Sequence, residues 1–316
     1  MDLTFELTKP KIFSFGACDL GYALKADIIR KDFSLDTIDI NRYTHDSLEF
    51  DKSWVPNHAT SLMSLYTPPG DIASRLHDTL VKSKELKPFH YEFYREIVKY
   101  PYIKHWETCA GPNDIMVINF STELYTKIAC KSELFTALPG ALKTVPGDPV
   151  YWVLEEYIQK EEYQFTCDDE YALNATYELL ADFAKDIYRI FKDRVVLVKT
   201  HLTDLEFNNG TICKSPIGST ISYKRSKIIN DFFEHEYGRR VTNIFIKKFR
   251  NKYPADLPIV EVKDHLFVDP KHPGGYAPFH LHNWSAHKIG SAIYDELVKI
   301  NTRSLKETSN VNTGKP

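Results

Sequence analysis

The most constraining feature of this chain is an alternation, in which short and nearly unbroken apolar runs are separated by long stretches of helical periodicity. The runs IFSF (12–15), IMVINF (115–120), VVLVKT (195–200) and HLFVD (265–269) are rich in branched and aromatic residues and bounded by polar ones. Runs of that kind suit strands covered on both faces, as in a parallel sheet. Between them, DDEYALNATYELLADFAKDIYRIFKD (168–193) repeats Leu173, Tyr177, Leu180, Ala184, Ile187 and Phe191 at spacings of three and four behind an acidic first turn, the pattern of a helix with one apolar stripe. A second helix is expected within 219–251 and a last one at 284–300, where Ile289, Ile293, Leu297 and Ile300 share a face. Strand and helix in alternation make a mainly parallel sheet with helices on both sides. The expected fold is therefore a single three-layer α/β sandwich over residues 1–300, with a helical excursion at about 45–105 and a polar, disordered tail over 301–316.

Composition narrows the function classes. The 40 basic and 43 acidic residues leave a net charge of -3, which gives no broad footprint for nucleic acid. The amino terminus MDLTFELTKP has neither a basic start nor an apolar run, and no stretch is apolar for long enough to span a bilayer, so a cytoplasmic protein with no integral membrane segment is expected. Five cysteines, Cys18, Cys109, Cys130, Cys167 and Cys213, are odd in number, widely spaced and form no C-x-x-C pair. That argues against a disulfide framework and against a zinc knuckle.

Three segments carry candidate chemistry. The first is Gly16-Ala17-Cys18, at the end of the first expected strand and the start of a helix. In open α/β sheets ligands bind beyond the carboxyl ends of the strands, and a thiol at a helix start is favoured as thiolate, although Asp19 beside it opposes that charge. The commoner reading of such a cysteine is a small buried hydrophobe. The same residues, GACDLG, also resemble a dinucleotide fingerprint whose middle glycine is replaced by Cys18, with Asp39 near the position of a ribose-binding acid. That replacement falls on the glycine that lets pyrophosphate approach the backbone, which ranks the nucleotide reading lower.

The second segment is DHLFVDPKHPGGYAPFHLHNWSAHKIG (264–290), where Asp269 and His272 stand three apart in a Pro- and Gly-rich loop before the final helix. A carboxylate so placed can turn back to the imidazole and fix its tautomer. His265, His280, His282 and His287 lie nearby, but no H-E-x-x-H or comparable ligand spacing appears, so neither a metal nor another cofactor is expected. The third is GPNDIMVINFSTELY (111–125), a strand ending in Asn119, Ser121, Thr122 and Glu123. Such an end can offer donors to a developing oxyanion.

Taken together, a Gly-x-nucleophile turn after the first strand, a polar strand end in mid-chain and Asp-x-x-His before the last helix resemble the SGNH/GDSL hydrolase superfamily. The chain is most similar to bacterial SGNH-like families that open with Gly-Ser-Cys, including the one named GSCFA. ATSLMSLYTPP (59–69) and the late block HPGGYAPFHLH, through His272, Gly275, Pro278, Phe279 and His280, match one of these families. The resemblance implies a flavodoxin-like strand order and an acyl-ester hydrolase or acyltransferase, with acetyl as the expected acyl group and a carbohydrate or surface-polysaccharide-related substrate. In that scheme Cys18 is the nucleophile, His272 or His280 the base and Asp269 its orienting carboxylate. Ser61, Asn119 and Glu123 would hold the oxyanion or the substrate. One departure stands out: Ala17 occupies the place of the family's serine. If that serine is the attacking group, the chain is a catalytically inactive binding or scaffold protein on the same fold.

Overall fold

The computed structural model describes residues 9–16, 18–36, 62–66, 78–79, 82, 101–124, 127–130, 133–136, 163–166, 170–208, 210–214, 235–271 and 280–313. The run KIFSF forms β1 (Lys11–Phe15), followed by α1 (Cys18–Leu24) and α2 (Asp27–Asp32), and a two-residue strand β2 (Ser34–Leu35). Next come α3 (Leu62–Tyr66), α4 (Tyr102–Cys109) and β3 (Ile115–Ile118), the last ending in a single 3-10 turn at Ser121–Leu124. Three further strands, β4 (Lys127–Cys130), β5 (Glu133–Thr136) and β6 (Tyr163–Thr166), precede α5 (Glu170–Phe191) and β7 (Val195–Val198). The hairpin β8 (Leu205–Asn208) and β9 (Thr211–Lys214), then α6 (His235–Lys252), β10 (Ile259–Val260) and α7 (Asn283–Thr313) complete the chain.

Five strands form one parallel sheet in the order β2-β1-β3-β7-β10. Numbered along the chain these run 2-1-3-4-5, the flavodoxin-like winding, whose topological switch point lies between β1 and β3. The expected α/β class and mainly parallel sheet are thus observed. Register holds Ile12 against Ile115, Phe13 against Met116, Ser14 against Val117 and Phe15 against Ile118. Because strand side chains alternate, the sheet has two chemically distinct faces. One is aliphatic: Ile12, Ile115, Val117, Val196, Val198 and Val260 cluster with Leu20, Ala23, Ile29 and the α7 stripe of Ile289, Ile293, Leu297 and Ile300. The other is aromatic, where Phe13 and Phe15 meet Phe191 and Phe183 of α5 at centroid separations of 5.4 and 4.8 Å, and Phe120 stacks on Phe245 of α6 at 5.6 Å.

Packing on the aliphatic side depends on one glycine. A Cβ on Gly290 of α7 would stand 2.5 Å from the Ala23 carbonyl oxygen and 2.7 Å from the Ala26 Cβ, so α7 approaches the end of α1 closer than any side chain allows. Further along, Arg303 reaches Asp193, just before β7, at 2.9 Å. Position 303 therefore lies at the edge where the strands begin, and Asn283, some 30 Å back along a helix rising 1.5 Å per residue, lies at the edge where they end.

Three expectations are corrected. The fifth strand of the sheet is Ile259–Val260, not 265–269. Within HLFVD only Val268 makes β-bridges, to Glu206 and to Leu281, while buried Leu266 and Val268 pin a strap over the sheet edge. A two-residue edge strand after Pro258 leaves almost no periodic signal. Secondly, α7 runs on to Thr313, over residues expected to be a polar, disordered tail, because extending an existing helix needs no new nucleus. Thirdly, β4, β5 and β6 make a separate antiparallel sheet in the order β5-β4-β6 that no apolar run announced. Most of the excursion expected at 45–105 lies outside the described residues.

Candidate functional site at the carboxyl edge of the sheet

The switch point is closed by a hydrogen-bonded hub. Asp19, in the first turn of α1, is 3% exposed. Its Oδ2 accepts from Asn119 Nδ2 at 3.1 Å and its Oδ1 from Ser121 Oγ at 2.8 Å. The Asn119 amide oxygen accepts the Ser121 N–H at 2.6 Å and the Thr200 hydroxyl at 3.4 Å, while the Asn119 N–H continues the β1–β3 ladder to Phe15 O at 2.7 Å. Buried side chains from α1, from the segment after β3 and from the segment after β7 are joined this way. Burial pushes the Asp19 pKa up to about 6, against the opposing pull of the bonds from Ser121 and Asn119.

Gly16 has a steric role here. A Cβ at this position would meet Leu20 Cδ2 at 2.9 Å and the Asn119 Cβ and carbonyl oxygen at 3.1 Å. The first glycine of the GACDLG run thus lets the end of β3 close against the turn. Cys18 opens α1; its side chain, like Ala17, is outside the described residues.

Glu123 is fully buried, and its Oε1 accepts the Leu62 N–H at 2.7 Å. The carboxylate therefore ties the start of α3, in the segment ATSLMSLYTPP, to the turn after β3. Ser61 itself is outside the described residues. Asn119, read from sequence as an oxyanion donor, is 1% exposed and gives one amide N–H to Asp19, so its observed work is to join the strand ends.

The late loop returns to the same edge. Asp269 N–H donates to His280 O at 2.8 Å, His282 N–H to Phe267 O at 2.8 Å, and Val268 bridges Leu281. This small ladder fixes His280, which is buried, directly before α7. The Asp269 carboxylate accepts the Lys271 N–H at 2.9 Å, turning the chain locally. His272 lies outside the described residues, so the expected Asp269–His272 pairing does too.

Sequence reading missed one histidine. His201 follows β7 and is 6% exposed; its Nε2 accepts the Val262 N–H at 2.8 Å, just beyond the last β7–β10 backbone bond, from Lys199 N–H to Val260 O at 2.9 Å. Burial lowers its pKa to about 4, with Glu261 acting in the opposite sense. The ring is therefore neutral at physiological pH, with its proton on Nδ1. It lines a cleft of about 460 Å³ between the straps that follow β7 and β10, walled on a third side by Arg239 and Asn243 of α6. A single His after an apolar run carries no spacing signal, which is why the sequence did not single it out.

Among the described residues no cluster of His, Cys, Asp and Glu could hold a metal ion, and no helix is long and apolar enough to cross a membrane. Cys109 and Cys213 are free thiols. The chain as a whole matches no family model, and it has no significant match among curated proteins or solved structures.

Proposed function

We propose that this chain is an SGNH-like acyl-ester hydrolase or acyltransferase, acting on an acetylated carbohydrate at the carboxyl edge of its parallel sheet. In this reading the Cys18 sulfur attacks the ester carbonyl as its proton passes to His272 or His280. The tetrahedral adduct then expels the sugar alcohol, which takes that proton, and leaves a thioester. Water or a second hydroxyl, deprotonated by the same imidazole, releases the acyl group and restores the thiol. Asp269 orients the imidazole.

The observation that supports this most is topological. A 2-1-3-4-5 sheet has its ligand crevice between β1 and β3, and the turn carrying Cys18, the polar end of β3 and the ladder before α7 all belong to that edge. A catalytically silent binding protein on the same fold is the second reading. It is favoured by Ala17 in the place of the family's serine and by the commitment of Asn119 to Asp19.

Turnover of an aryl acetate and of acetylated sugars decides between them. If the reading holds, Cys18→Ala and one of His272→Ala and His280→Ala each lose about a thousandfold or more in kcat while circular dichroism and thermal midpoint stay those of the wild type. Unchanged turnover in Cys18→Ala removes the thiol mechanism, and no turnover of any ester by the wild type favours the binding protein.

A further inference from the structure

A second nucleophile stands away from the carboxyl edge, on α4. This helix ends at Cys109 shortly before β3 starts at Ile115, which places the thiol toward the edge where the strands begin. His105 and Cys109 lie one turn apart on the helix, and Cys109 Sγ is 3.7 Å from His105 Nδ1, within hydrogen-bond reach for sulfur. The other ring nitrogen, Nε2, meets Asp36 Oδ2 at 2.8 Å, just after β2. Asp36 is held in turn by its own N–H to Ile12 O at 2.9 Å, and the imidazole packs on Phe13 of β1 at a centroid separation of 6.4 Å. The His105 and Asp36 side chains are each 11% exposed, whereas Cys109 is open to solvent. An accessible thiol is thus backed by a largely buried base and by a carboxylate that orients the base, the arrangement that activates a nucleophile.

The roles of the two nitrogens follow from the chemistry of the partners. A carboxylate only accepts, so Nε2 carries the ring hydrogen and Nδ1 offers its lone pair to the thiol. The other free thiol, Cys213, has the reverse surroundings. Its S–H faces the Glu206 carboxylate at 3.5 Å and the Glu206 carbonyl at 3.9 Å. Partial desolvation and that carboxylate push the Cys213 pKa up. One thiol faces a base and the other an anion.

We propose that Cys109 is a modification site, a base-assisted thiol that exchanges with low-molecular-weight disulfides. As Sγ attacks one sulfur of the disulfide, its proton passes to His105 Nδ1. The new S–S bond forms as the old one breaks, and the departing thiolate takes the proton from the imidazolium. The products are a mixed disulfide on Cys109 and one free small thiol, and an excess of that thiol reverses the step. Asp36 is a positioning residue that acts through His105. None of this depends on the chemistry proposed for Cys18.

The test is peptide mass spectrometry of the full chain during reaction with glutathione disulfide, with Cys213 as the internal reference. Cys109 is expected to react at least about tenfold faster than Cys213, and the two rates to converge in urea, where the base is no longer held beside the thiol. His105→Gln, folded by circular dichroism, should slow Cys109 at least about tenfold and leave Cys213 unchanged, which exposure alone would not produce. Asp36→Asn is nearly isosteric but donates to Nε2 and moves the ring hydrogen to Nδ1; it should slow Cys109 as well, with the changed tautomer visible by imidazole-nitrogen NMR. The proposal is overturned if Cys109 reacts no faster than Cys213 in the native chain, if its lead persists in urea, if His105→Gln or Asp36→Asn leaves its rate unchanged, or if His105 carries its hydrogen on Nδ1 in the wild type.

Discussion

Asp19 shows what a single buried carboxylate does in this fold. Two side-chain donors aim at it, so Asp19→Ala strands the Ser121 hydroxyl and the Asn119 amide, at an expected loss of about 1–3 kcal/mol in urea denaturation at neutral pH. Asp19→Asn keeps an acceptor for Asn119 and a donor for Ser121 while removing a buried charge; its stability at the same pH should equal or exceed that of the wild type. A result in which both variants lose equally would mean that the charge itself holds the strand ends. Sequence placed Asn119, Ser121 and Glu123 at the end of a strand and Asp19 at the start of a helix, because polarity after an apolar run is a local signal. It did not reveal that these groups bond one another. Asp19 and Ser121 are about a hundred residues apart in the chain, and only the pairing of β1 with β3 joins them.

At the scale of elements, the helices were the most legible part. The stripes in α5 and α7 are long, and the residues they named, from Leu180 to Phe191 and from Ile289 to Ile300, are buried as the period requires. The strands of two residues were not legible, nor was the antiparallel β4-β5-β6 sheet. The hairpin of β8 and β9 did carry a signal that went unused: Asn209-Gly210, a dipeptide suited to tight hairpin turns, with Gly210 at φ 81°. Where two elements touch most closely, sequence reading was also blind. Gly290 looks like a weak point in a helix, yet it sits over the Ala23 carbonyl. Gly290→Ala should gain about 1 kcal/mol in helix propensity and still lower overall stability by about 1–3 kcal/mol, since the added methyl has no space. A raised thermal midpoint in that variant would show that α1 and α7 can part at little cost.

Over the whole molecule, two buried titratable groups act in opposite directions. Asp19 is raised from 3.8 to about 6, so the fold favours its protonated form; its contribution is full below pH 3.8 and is lost as pH rises through 6. His201 is lowered from 6.5 to about 4, so the fold favours its neutral form; its contribution is full above pH 6.5 and is lost as pH falls through 4. Each amounts to about 3 kcal/mol at a conversion of 1.36 kcal/mol per unit. Urea midpoints measured across this range, as differences from the wild type, should therefore diverge: Asp19→Asn loses stability as the solution is acidified, and His201→Gln gains it. Parallel profiles for the two variants would contradict the assignment. The consequence for the intact chain is a kind of ballast. As acid is added, the native state accepts a proton behind α1 at nearly the same pH at which an unfolded imidazole would accept one, so these two costly burials cancel in their effect on when the protein opens.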